Sequence, residues 1–194
     1  MNRRQFVAGS LALAASPVSG TVVQAKPSEA EYILCGDSMA YVMGPTFRAA
    51  CGAYRVRGAV WAKGGSSARQ WLVKKWFQRV VREHPKASVL LVSLGVNCTR
   101  VERPKLAADI SKIVNLVNDL MYDDGDEPNY RAPSVVWLLP PPLAMDTKYL
   151  RDAVAASEVF SISPGTLPLE SDGIHPTLKG VGLWVNTIAE TLWE

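Results

Sequence analysis

The chain has 194 residues, 48% of them hydrophobic, and its 21 basic and 18 acidic side chains leave a formal charge of +3. That length and apolar content suffice for one domain with a sizeable core, and the near balance of charge excludes the dense basic surface that nucleic acid or an anionic membrane would require. Three cysteines are too few for a disulfide framework, and two histidines far apart in a chain without a Cys-x-x-Cys pair give no metal-ligand spacing, so neither a metal nor another cofactor is expected.

At the amino terminus, Arg3 and Arg4 precede an apolar, small-residue stretch from Val7 to about Val23, and Val23-Gln24-Ala25 has the small-x-small form of a cleavage site. Gly9, Ser10, Ser16, Pro17, Ser19 and Gly20 interrupt the stretch, which argues against a membrane span of ~20 strongly apolar residues. Residues 1–25 therefore read as an export signal and 26–194 as a single domain. The Arg-Arg-x-Phe form resembles the twin-arginine class, which implies the twin-arginine export machinery as a partner, a periplasmic or secreted location, and no stable membrane insertion once the signal is gone. Residues 1–25 carry two arginines and no acid, so their removal lowers the formal charge to +1. An oxidising compartment would permit one disulfide, and Cys35 with Cys98 is the first pair to test.

From Lys26 onward short apolar runs alternate with amphipathic segments. Glu31 to Leu34 reads as a buried strand that breaks into Gly36-Asp37-Ser38. Met39 to about Ala50 reads as a helix disturbed by Gly44-Pro45, and Tyr54 to Val60 as a second strand. After the small-residue loop Ala62 to Ser67, Leu72, Val73, Trp76, Phe77, Val80 and Val81 fall at helical spacing. Ser88 to Leu94 is the clearest central strand, a nearly continuous apolar run that ends in Gly95-Val96-Asn97. Leu106 to Met121 carries helical periodicity, followed by an acidic loop from Asp123 to Pro133. Val135 to Leu139 reads as a strand, Tyr149 to Ala156 as a short helix, Val159 to Ile162 as a brief strand, and about Leu178 to Trp193 as a final helix. This alternation argues for an α/β sandwich around a parallel sheet, whose site lies in the loops beyond the carboxyl ends of the strands.

Four polar motifs occupy such loops. A serine where a strand gives way to a helix can expose its hydroxyl and turn its own N–H toward the same pocket, although Gly36-Asp37-Ser38 alone is also an ordinary helix-capping turn. Asp172-Gly173-Ile174-His175 puts a carboxylate three residues before an imidazole, close enough to bond Nδ1–H and leave Nε2 free to take a proton. His84, before Pro85 at the end of a charged helix, reads as a surface residue. Trp61, Arg69, Gln70, Arg100 and Met145 stand on carboxyl-end loops where substrate contact is conceivable.

The ordered set of motifs, from about Tyr32 to the end of the chain, resembles the SGNH or GDSL-type hydrolase family. Gly36-Asp37-Ser38-Met39 matches the first block and implies Ser38 as nucleophile. Gly64-Gly65-Ser66-Ser67 looks like the second block, whose glycine, Gly65 or alternatively Gly64, lends an N–H to the oxyanion hole. Gly95-Val96-Asn97 matches the third, with Asn97 as a further oxyanion donor beside the N–H of Ser38, and Asp172 and His175 match the fifth. The third block usually reads Gly-x-Asn-Asp, whereas Cys98 stands last here. The resemblance implies a three-layer α/β/α sandwich of flavodoxin-like type, with a central, mostly parallel five-stranded sheet. It also implies a serine esterase that releases a small acyl group, acetyl above all, from a carbohydrate or small-molecule ester. A lipid or thioester acyl hydrolase, an acyltransferase, and a non-catalytic glycan-binding module on the same fold are the alternatives.

Overall fold

The computed structural model describes residues 30–122 and 134–193; the segments read above as an export signal and as an acidic loop fall outside the described residues. Successive strand residues point to opposite faces of a sheet, so a strand apolar at every position must be covered on both sides. In β1 (Glu31–Gly36), Ile33 and Cys35 enter one core while Tyr32 and Leu34 enter another. The same division separates Leu90 and Val92 from Leu91 in β3 (Val89–Ser93), and Val135 and Trp137 from Val136 and Leu138 in β4 (Ser134–Leu138). One core is closed by α2 (Ala68–Val73), α3 (Trp76–Glu83), α4 (Leu106–Tyr122) and α5 (Lys148–Ala156). The other is closed by α1 (Ser38–Ala53) and α6 (Leu178–Leu192).

The edges of the sheet are β2 (Arg57–Ala62), partly exposed, and β5 (Ser161–Ile162), only two residues long. The strand order is β2-β1-β3-β4-β5 and all four pairings are parallel, which is the flavodoxin-like arrangement. The order in which strands are added across the sheet reverses between β1 and β3, and the crevice at that switch point is where such sheets hold ligands.

Several boundaries differ from the sequence reading for physical reasons. Helix α1 runs unbroken through Pro45, because the proline sits on the exposed face, where the Tyr41 carbonyl it leaves without an N–H partner meets solvent. Its continuation to Ala53 makes Tyr54 a helix cap stacked 5.2 Å from the Trp193 ring, so β2 begins at Arg57 rather than Tyr54. The single helix read across Leu72 to Val81 is two helices. Trp71 is fully buried and Val73 is 67% exposed, and a helix in phase with Trp71 would turn Phe77, Val80 and Val81 away from the sheet. Lys75, at φ 55°, resets the phase. His84 is no free surface residue: it is half-buried, with Nδ1 2.9 Å from Glu31 Oε1, and ties the end of α3 to the start of β1.

Cys35 and Cys98 are not bonded to each other; with Cys51 they are free, buried thiols. Cys35 is a strand residue enclosed by apolar neighbours, and burial pushes its thiol well above the ordinary range.

Gly36 closes β1 opposite Ser93 of β3, and any Cβ at this position would overlap the Ser93 carbonyl oxygen, a backbone atom that cannot yield. Gly36→Ala is therefore expected to cost about 3 kcal/mol, lowering Tm by roughly 6–12 °C in a domain of this size, as read by thermal unfolding.

Candidate active site

Ser38 is the first residue of α1, immediately beyond β1, and its N–H belongs to the first turn, where no intrahelical acceptor exists. Its Oγ lies 2.9 Å from His175 Nε2, and His175 Nδ1 lies 2.7 Å from Asp172 Oδ2. The other carboxylate oxygen, Oδ1, accepts the backbone N–H groups of Ile174 at 2.8 Å and His175 at 2.9 Å. A carboxylate can only accept, so Nδ1 carries the proton of the neutral ring and Nε2 presents its lone pair to the serine hydroxyl. The structure thus joins a residue from the loop after β1 to two from the loop before α6, across 137 positions of sequence.

The loop that holds Asp172 and His175 is closed at its base and braced at its tip. Leu169 and Pro176 form an isolated antiparallel bridge, Glu170 N–H donates to His175 O at 2.7 Å, and Thr177 N–H donates to Pro168 O at 3.0 Å. At the tip Gly173 adopts φ +65°, and its carbonyl accepts Ala144 N–H at 3.0 Å. A Cβ there would approach Ala144 Cβ to 2.7 Å, so both the left-handed backbone and the close approach call for glycine.

Asn97 follows β3 on the other side of the switch point. Its Nδ2 donates to Asp37 Oδ2 at 2.9 Å and, over a longer 3.4 Å, to Ser66 O. The second partner lies in the small-residue loop, where Lys63 to Ser66 form a turn closed by Ser66 N–H to Lys63 O at 3.2 Å. Gly64 and Gly65 are both exposed, and the positive φ, +72°, falls on Gly65 at the third turn position. Asn97 thus links its own loop to the start of α1, through Asp37, and to the small-residue loop, through Ser66.

Asp37 has a larger part than its place in the sequence suggests. One oxygen caps α1 through Met39 N–H at 2.9 Å, and the other holds the Asn97 amide. It is completely buried. The capping role is legible from a helix start, but the bond to Asn97, 60 positions away, is not.

Other expected substrate contacts have structural employment. Arg79 lies over Trp61 at 5.0 Å from the ring centroid, Arg69 Nε pairs with the buried Asp109 at 3.0 Å, and Gln70 completes a capping box with Ser67. Arg100 is exposed. Met145 lines an open depression of about 490 Å³ with Pro142, Asp146, Thr147, Arg151 and Thr166, next to the segment that braces Gly173. Cys98, beside Asn97, is buried, and burial pushes its thiol up to about 11, which leaves little thiolate at neutral pH. Among the described residues no group of three or more His, Cys, Asp or Glu could hold a metal ion.

No family model matches the chain, and no curated protein is similar enough in sequence to match it. Solved structures do match. The carbohydrate acetylesterase Est24 from Sinorhizobium meliloti superposes with TM-score 0.63 at 14% identity, over 84% of this chain and 97% of its own. A lipase/acylhydrolase from Enterococcus faecalis gives 0.60 at 14% identity, over 84% and 95%. A protein from Slackia heliotrinireducens, provisionally described as an SGNH hydrolase, gives 0.62 at 13% identity, over 84% and 98%. At these identities the likeness is one of fold: the chain shares the parallel five-stranded α/β architecture of the SGNH hydrolases.

Two carboxyls of the site are shifted in opposite directions. Burial pushes Asp37 up to about 7, although the Met39 N–H, the Asn97 amide and nearby His175 all pull it down. Asp172, exposed to solvent, is drawn down to about 2, first by its bond to the His175 ring and then by the two backbone N–H groups. The folded state thus keeps a proton on Asp37 that the unfolded chain has released, so this residue makes stability fall as pH rises from about 4 toward 7. The contribution of Asp172 has the opposite sign, present above about pH 4 and lost as pH falls toward 2. Urea unfolding at pH 4.5 and at pH 7.5 should show Asp37→Asn gaining stability relative to wild type at the higher pH; an unchanged difference would show that Asp37 does not titrate in this window.

Proposed function

We propose that the chain is an exported serine esterase that removes a small acyl group, acetyl in the first instance, from a carbohydrate ester. The observation that carries this reading is the continuous Ser38 Oγ, His175 Nε2, Nδ1, Asp172 hydrogen-bond chain at the switch point of the sheet. As Ser38 Oγ attacks the ester carbonyl, His175 Nε2 takes its proton, and Asp172 holds the ring in the required tautomer and stabilises the imidazolium. The carbonyl π electrons move to oxygen, where the N–H groups of Ser38 and Gly65 and the Asn97 amide are the available donors. The Asn97 amide N–H available for this is the one whose bond to Ser66 O is long, at 3.4 Å, since the amide is held at 2.9 Å by Asp37. Collapse of the adduct expels the alcohol, which takes the proton from His175, and leaves an ester on Ser38. Water, deprotonated by His175, then attacks that ester, and collapse of the second adduct releases the acid as Ser38 Oγ takes the proton back from His175.

Support for the substrate class comes from the structural neighbours. Besides Est24, they include an acetyl xylan esterase at TM-score 0.63 and 10% identity, and an aryl esterase of M. smegmatis at 0.59 and 17%. All of these names describe ester hydrolysis, and the carbohydrate and acetyl readings recur among them. The two arginines ahead of a small-residue apolar stretch support export.

Serine-directed fluorophosphonate should label the wild type, and labelling should vanish in Ser38→Ala and His175→Ala; an unlabelled wild type would sink the mechanism. Asn97→Ala is expected to lower kcat for p-nitrophenyl acetate by roughly 100-fold, the equivalent of losing one oxyanion donor at ~3 kcal/mol. Across p-nitrophenyl esters of increasing length, activity should drop sharply beyond butyrate, and a preference for long chains would overturn the substrate assignment.

A further inference from the structure

We propose that Glu102 is a positioning residue that locks the two oxyanion loops together and so sets the distance between Gly65 and Asn97. The proposal rests on the serine-esterase reading of the site. Glu102 lies in the long connection from β3 to α4, just before the short 3-10 turn Arg103–Lys105. Its carboxylate reaches in two directions. Oε1 accepts the Ser67 hydroxyl at 2.9 Å, and Oε2 accepts the Thr99 N–H at 2.8 Å. Ser67 stands two residues beyond Gly65, and Thr99 two residues beyond Asn97. One side chain therefore bridges both loops at the same remove from their donor residues.

Each end of this bridge is fixed by further bonds. Ser67 Oγ accepts Gln70 N–H at 3.3 Å while Ser67 N–H donates to Gln70 Oε1 at 3.0 Å, so the serine hydroxyl hydrogen is the one left for Glu102. Thr99 returns the contact, its hydroxyl accepting Glu102 N–H at 3.3 Å and its carbonyl accepting the same N–H at 3.0 Å. Burial opposes ionisation of Glu102, but the Thr99 N–H and the Ser67 and Thr99 hydroxyls outweigh it, holding the carboxyl below its usual range. The bonds are therefore charge-assisted, about twice as strong as neutral ones.

The neighbouring link explains why a strong tie is needed here. Among the described residues, the hydrogen bond that joins Asn97 to the small-residue loop is the long 3.4 Å one to Ser66 O. Cys98 occupies the position where the resembling block carries an aspartate; the carboxylate that joins the loops in this chain stands four residues further on.

The test is a double-mutant cycle of Glu102→Ala and Asn97→Ala, read as kcat and KM for p-nitrophenyl acetate with thermal midpoints in parallel. Acting through the oxyanion donors, Glu102→Ala should lower kcat roughly 10-fold or more with KM within about threefold, yet cost less than about threefold in the Asn97→Ala background. Glu102→Gln, which keeps an acceptor for Ser67 but not for Thr99 N–H, should fall between and guards against a misfolded alanine variant. An equal loss in both backgrounds, or an unchanged kcat, overturns the proposal. Should the wild type neither hydrolyse esters nor take the fluorophosphonate, the enzymatic reading fails, and the side-chain amide signals of Asn97 in 15N NMR decide the positioning role by themselves. Their displacement in Glu102→Gln supports it, and unchanged signals refute it.

Discussion

The site depends on how closely the carboxyl ends of β1 and β3 approach one another. Asp37 N–H donates to Ser93 O at 3.1 Å, and Gly36 has no side chain because that carbonyl occupies the space a Cβ would need. This backbone contact sets the loop bearing Ser38 against the loop bearing Asn97. The buried Asp37 then converts proximity into orientation, with one oxygen on the helix that presents Ser38 and the other on the Asn97 amide. A fully buried carboxyl is an expensive way to hold two loops, and its raised pKa measures that cost. The arrangement fits a general pattern in which stability is given up at a site for a geometry the reaction needs.

What could be read from the sequence follows the range of the interactions concerned. Asp172 and His175 are three residues apart, so their partnership is written into a single loop, and the start of α1 is marked by the capping preference of Asp37. The layer architecture followed from runs such as Val89 to Ser93, which are apolar on both faces. Less legible was anything decided by phase or by distant partners. Leu72 and Phe77 both look like members of one amphipathic helix, and only the core that Trp71 and Phe77 share forces the break at Lys75. Tyr54 has the composition of a strand residue, and its packing against Trp193 at the far end of the chain makes it a cap instead. Glu102 drew no notice in a polar connection between β3 and α4. Thr99-x-x-Glu102 is the spacing of a reciprocal side-chain box, and that pattern was the available clue.

Protonation within the site is arranged by contrast. Asp172 is ionised through bonds that only a charged acceptor satisfies well, while Asp37, a few residues away in space, is kept from easy ionisation by burial. In the proposed mechanism the two carboxyls therefore serve different ends: the first would sustain a positive imidazole during turnover, and the second keeps a neighbouring amide in place. Their environments assign these duties more clearly than their residue type does.

The 137-residue gap closed by the bond between Ser38 and His175 also bears on when the protein can act. Ser38 belongs to the first strand and helix described, whereas His175 takes its position only when the clamped loop 168–177 and helix α6 have docked on α1. A partly synthesised or partly folded chain holds a serine with no base beside it. Under the proposed mechanism, reactivity therefore requires both ends of the domain to be in place, so an incompletely assembled molecule would be chemically silent toward the esters around it.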